Sequence, residues 1–115
     1  MKPACVLLAA AIATWASAAI AGQYRRVAGP EARNRLCGRV LTDPVHWRFE
    51  FLPDGRLRTV SLGRRAEGAW RVEKGLVCLT PPTEETTCYA LWLASSAARL
   101  EADGMPSLEG FLERP

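Results

Sequence analysis

HWRFEFLPDGRLRTVSLGRRAEGAWRVEKGLVCLT, residues 46–80, is the stretch that decides the fold. Trp47, Phe49 and Phe51 alternate with His46, Arg48 and Glu50, a period of two that sets an aromatic row on one face of a half-buried strand. Pro53-Asp54-Gly55 then makes a turn, the proline presetting φ and the glycine accepting the positive φ that closes it. Leu57 to Leu62 returns as a second strand, and Gly63-Arg64-Arg65 reads as the next turn. Ala69 to Val72 makes a third strand, ended by Glu73-Lys74-Gly75, and Leu76 to Thr80 a fourth, stopped by Pro81-Pro82.

The same spacing continues on the C-terminal side. Thr87 to Leu93 forms a fifth strand and Ala98 to Ala102 a sixth, while Ser107 to Leu112 fits either an edge strand or irregular chain. Upstream, Gly29-Pro30-Glu31 opens a two-turn helix that runs to Leu36 and stops at Gly38, with an early acid and later arginines. Asp43-Pro44 breaks the chain before the first strand, because proline disfavours helical geometry in the residue before it. Connections this short permit hairpins and forbid parallel crossovers. The expected fold is therefore mainly β, an antiparallel meander curled into a small barrel or half-barrel, with one short N-terminal helix.

Met1 to Ala21 reads as a secretory signal: Lys2 as the positive n-region, Val6 to Ile12 as the apolar h-region, Ala19-Ile20-Ala21 as the cleavage site. Cys5 precedes the h-region, so it is no lipid-anchor cysteine, and no stable membrane anchor is expected. Gly22 to Pro115 would then be a single disulfide-stapled domain in a bacterial periplasm or outside the cell. Without Lys2 the chain holds 14 basic residues against 12 acids, a net charge of +2 that does not point to nucleic acid. The distribution is uneven: Gln23 to Gly75 carries 12 basic and 6 acidic residues, Leu76 to Pro115 carries 2 and 6, so exposed parts of the N-terminal half are basic.

Cys78 and Cys88 sit in the strands on either side of the 81–86 loop, and a hairpin there would face them across the ladder as a disulfide. Closing so short a loop stabilises the fold by about 2.5 to 3 kcal/mol on the chain-entropy estimate. Cys37 is left over as the expected free thiol. Arg35 and Arg39 would lower its pKa if it were exposed, while Leu36 and Val40 give it the setting of a small buried hydrophobe.

No catalytic residue is assigned. His46 is the only histidine, and with Cys37 it makes two ligands where zinc takes three or four, so neither metal nor cofactor is expected. Ser61, His46 and Asp54 would supply the residue types of a triad, but no G-x-S-x-G elbow accompanies them. Glu84-Glu85 stands among threonines on a loop, where solvation explains it. Gly68-x-Trp70 is a pattern that lipocalins carry on their first strand. Here it lies mid-chain and implies only a shape, a curled sheet whose Trp47, Phe49, Phe51, Trp70 and Trp92 share one face.

Phe49-x-Phe51-x-x-Asp54-Gly55, Gly68-x-Trp70-x-Val72-x-x-Gly75-Leu76-x-Cys78 and Cys88-Tyr89 together resemble small secreted proteobacterial domains of unknown function. The resemblance implies a disulfide-stapled antiparallel sheet and carries over no catalytic residue. The expected function is a non-enzymatic binding module for an anionic small ligand or an acidic protein partner. Trp47, Arg48, Arg56, Arg58, Trp70 and Arg71 are its candidate contact residues, an apolar pocket rimmed by arginines. An accessory subunit or inhibitor of a secreted enzyme is the alternative.

Overall fold

The computed structural model describes residues 23–115; the expected signal segment lies outside them. β1 (Arg25–Val27) and α1 (Gly29–Leu36) come first. Eight strands follow: β2 (Val40–Asp43), β3 (Trp47–Phe51), β4 (Arg56–Ser61), β5 (Arg64–Glu73), β6 (Leu76–Thr80), β7 (Thr87–Ala94), β8 (Ala97–Glu101) and β9 (Leu108–Glu113). Each of these eight pairs antiparallel with the next, and β9 returns to β2 with Leu112 opposite Leu41. The meander thus closes into an eight-stranded up-and-down barrel, and β1 is an extra strand on β7.

Turn chemistry shifts one expected boundary. The second hairpin turns on Leu62-Gly63, not on Gly63-Arg64-Arg65, and Arg64 opens a ten-residue β5. Leu62 and Lys74 hold φ of +51° and +52°, each followed by a glycine, the backbone that lets a two-residue turn match strand twist. Gly68 serves a different need: a Cβ there would run into the Thr80 carbonyl oxygen, so only glycine lets β5 pass that close.

The inner face carries Phe51, Leu57, Trp70, Val77, Leu91 and Leu100. Trp70 is 3% exposed, meets Phe51 edge to face at 5.3 Å, and donates its indole N–H to the Leu52 carbonyl at 2.8 Å. α1 lies against β5 and β6, its Ala32 and Leu36 joining this core and its Arg33 guanidinium 5.5 Å from the Trp70 ring centroid. The early acid and late arginines expected of the helix are present as Glu31, Arg33 and Arg35.

Trp92 departs from the expected inner stripe. In β7 it is Tyr89, Leu91 and Leu93 that are buried, and Trp92 takes the opposite phase, paired with Arg26 on one side and Arg99 on the other. Cys78 and Cys88 stand directly opposite each other and form the expected disulfide. Cys37 is corrected: it is disulfide-bonded, not a free thiol, and is 8% exposed.

Candidate functional site

Among the described residues no polar or charged side chain is buried. The Trp70 indole N–H in the core is already spent on the Leu52 carbonyl, and no charged side chain among the described residues is buried, so recognition of an anion falls to the outer surface. There the alternation of β3, β4 and β5 builds two charged rows. Pairing sets Arg48 beside Val60 and Val60 beside Arg65; one step along, Glu50, Arg58 and Glu67 stand side by side. These six residues line a shallow groove of about 630 Å³.

The rows differ in how their charges are met. Arg58 lies 3.9 Å from Glu50 and 4.0 Å from Glu67. Arg56, next along β4, is 3.6 Å from Glu67 and 2.7 Å from Asp54, whose carboxylate raises the guanidinium pKa above its ordinary value. Arg48 and Arg65 form no ion pair with any described residue. They flank Val60 from two strands apart, about 10 Å at ordinary strand spacing, so their long arms can reach one anionic group over an apolar floor.

The six expected contact residues divide between the two faces. Arg48, Arg56 and Arg58 gather on the outer face of β3 and β4, as alternation requires of residues out of phase with Phe49 and Leu57. Arg71 points the same way but lies far along β5, bound to Glu73 at 2.6 Å and holding that carboxyl's pKa below its ordinary value. Trp47 and Trp70 face inward, so the apolar pocket rimmed by arginines does not form: the aromatic row is core and the arginines are its other side. Trp70 leaves the candidate site for that reason.

His46 belongs to the turn between β2 and β3. Asp43 accepts the Val45 N–H at 3.0 Å and lies 3.1 Å from His46 Nδ1, and these bonds lower the Asp43 pKa, the Val45 N–H contributing most. Ser61 is at one end of β4 and Asp54 precedes the other, so a triad with His46 is not assembled. Among the described residues no three His, Cys, Asp or Glu side chains converge as metal ligands.

Sequence reasoning missed two surface features. Val45 and Leu62 are 80% and 81% exposed on the tips of neighbouring hairpins, which are joined by the Leu62 N–H donating to the His46 carbonyl at 3.0 Å. On the far side of the barrel, Arg99 stacks 4.3 Å from the Tyr24 ring centroid and lies 3.3 Å from Glu109, next to Trp92. The phase of Trp92 against Leu91 and Leu93 was a readable signal for that cluster; nothing in composition pointed to the tips. A second, smaller depression of about 350 Å³ at the helix end carries Asn34, Arg35, Arg39, Ser95 and Ser96.

Fold and surface together define a class: a small up-and-down barrel with a filled apolar interior and a charged sheet face outside. No family model, curated protein or solved structure matches the chain.

Proposed function

We propose that this protein is a non-enzymatic binding module, acting in the periplasm or outside the cell, that holds an anionic ligand or acidic protein partner on the outer face of β3–β5. The observation that carries the reading is the pair Arg48 and Arg65, without an ion pair among the described residues on either side of Val60, while neighbouring Arg56 and Arg58 are matched by acids. A surface arginine without a partner is ready to exchange water for a carboxylate or phosphate in a forked geometry. The Cys78–Cys88 disulfide is consistent with an oxidising compartment. The exposed Val45 and Leu62 favour a protein over a small ion as the occupant, and with it the reading of an accessory subunit or inhibitor of a secreted enzyme.

Fluorescence anisotropy with a labelled polyglutamate peptide tests the proposal. Binding should weaken steeply as salt rises, disappear in the Arg48→Glu/Arg65→Glu variant, and persist in an Arg35→Glu/Arg39→Glu variant that changes net charge equally at the helix end. Equal loss in both variants, or no binding by the wild type, refutes it.

A further inference from the structure

A barrel that closes pairs every strand on both sides, and the lengths of β5, β6 and β7 show where this one does not. β6 has five residues, β5 ten and β7 eight, so both neighbours overhang it. The overhang of β7, Leu91 to Leu93, is covered by β1. The overhang of β5, Arg64 to Gly68, is paired with β4 on one side and with no described residue on the other.

Hydrogen-bond alternation fixes which groups are open. The two-residue turn Leu62-Gly63 makes Ser61 and Arg64 a bonded pair, so Thr59 and Ala66 are the next, and Arg65 and Glu67 turn their N–H and C=O away from β4. Ala69 bonds in that outward direction to Thr80, and the same register would set Pro82 opposite Glu67. Proline has no N–H to give there, so the chain leaves the sheet after Thr80 and the edge stays uncovered. Residues 64 to 67 are exposed.

We infer that the β5 edge, Arg64 to Glu67, takes an extended acidic segment of a protein partner as an added strand. Backbone bonds to Arg65 and Glu67 would supply affinity, and side-chain charge would supply selection. Charged residues ordinarily discourage pairing at an edge. Here Arg64 and Arg65 project from opposite faces of the ribbon, neither has an ion-pair partner among the described residues, and Glu67 is already engaged by Arg56 and Arg58. A docked strand therefore meets an arginine on each face, a complement to alternating or continuous acidic side chains. The inference rests on the proposed arginine face for the sign of the partner, and adds the mode of binding.

The probe is a labelled six-residue acetylated and amidated peptide alternating glutamate with threonine, prepared also in two forms N-methylated at every second amide, one form for each phase. Strand addition needs the N–H groups of one phase only, so one form should bind as the parent does and the other at least about tenfold more weakly. On the protein, Glu67→Pro removes an open N–H that Glu67→Ala keeps, both losing the same carboxylate. The proline variant should bind at least about tenfold more weakly, with circular dichroism reporting that it folds. Equal behaviour of the two methylated forms overturns strand addition, whether both bind or neither does. If the parent peptide fails while polyglutamate still binds through Arg48 and Arg65, strand addition falls and the arginine face stands; if both fail, both readings fall.

Discussion

Replacing Trp70 by alanine should cost about 4 to 5 kcal/mol, and three contacts set that magnitude. Deleting a fully buried large aromatic costs about 3 to 5 kcal/mol through lost burial and the cavity left behind, and Trp70 is 3% exposed in the middle of the inner face. Its edge-to-face contact with Phe51 and the bond from its indole N–H to the Leu52 carbonyl, which ties the core to the β3–β4 turn, place it in the upper part of that range. A domain of this size holds about 5 to 14 kcal/mol in all, so Trp70→Ala should remove a large share of its stability. Trp70→Phe keeps a ring in the core and loses the N–H, and should cost about 1 to 2 kcal/mol.

Trp92→Phe is the internal control. Its indole N–H is shielded from water and has no hydrogen-bond partner among the described residues, so losing it relieves an unsatisfied donor, and the cost should stay below about 1 kcal/mol. The assay is urea unfolding followed by far-UV circular dichroism, since Trp47 would contribute to a fluorescence signal, with midpoints compared at a common slope. A loss below about 1 kcal/mol for Trp70→Ala would refute the placement of Trp70 in the core. So would a Trp92→Phe cost equal to that of Trp70→Phe, which would mean that the two indoles had been assigned to the wrong faces.

Two further outcomes follow from the surface and the staple. Replacing Cys78 and Cys88 by serine should lower stability by about 2.5 to 3 kcal/mol in the same unfolding assay, with no thiol alkylated at either position in the unreduced wild type; labelling at either would exclude the bond. Asp43 and Glu31 have folded pKa values lowered by the Val45 N–H and by Arg25 respectively. Their contribution is therefore complete above about pH 5 and is lost as pH falls below the ordinary carboxylate range. Asp43→Asn/Glu31→Gln should flatten the acid limb of a stability-versus-pH curve, and an unchanged acid limb would show these surface bonds to be without consequence.

The strands that alternate cleanly were legible from sequence, and the reasons others were not are specific. β3 announces itself by period two, and β6 and β7 as short apolar runs bounded by turn residues. β2 does not, because Val40 and Leu41 are both buried: Leu41 faces the core, and Val40 is covered on the outer side in a strand too short to show a period. β1 is three residues with a single apolar one, and only its place on the β7 edge makes it a strand. The turn at Leu62-Gly63 was missed because leucine seldom holds a positive φ, and Gly63 drew the boundary one residue late. Arg48 and Arg58 of the candidate groove were among the expected contacts, but Arg65 was not, because it was read as part of a turn and register places it in β5 opposite Val60; which arginine meets an acid likewise depends on register across three strands. The tryptophans were grouped with them as the lining of a pocket rimmed by arginines, and the period of two, with the tryptophans packed inward, puts the two sets on opposite faces.

Pro81-Pro82 links the architecture to the proposed surface. A β6 long enough to pair all of β5 would need an N–H at position 82 to meet the Glu67 carbonyl, and would bring chain against Gly68, where the Thr80 carbonyl already lies too close for a Cβ. The prolines end β6 before either conflict arises, and a five-residue β6 is still enough to hold the circle closed. The same break leaves Arg64 to Gly68 of β5 held by β4 alone, with Arg64 and Arg65 beside the Leu62-Gly63 tip. A free strand edge and an unmatched positive charge thus arise at one place from one cause, the length of β6. This is why an extended acidic segment fits there and not at the β7 edge, where β1 has already taken the open bonds.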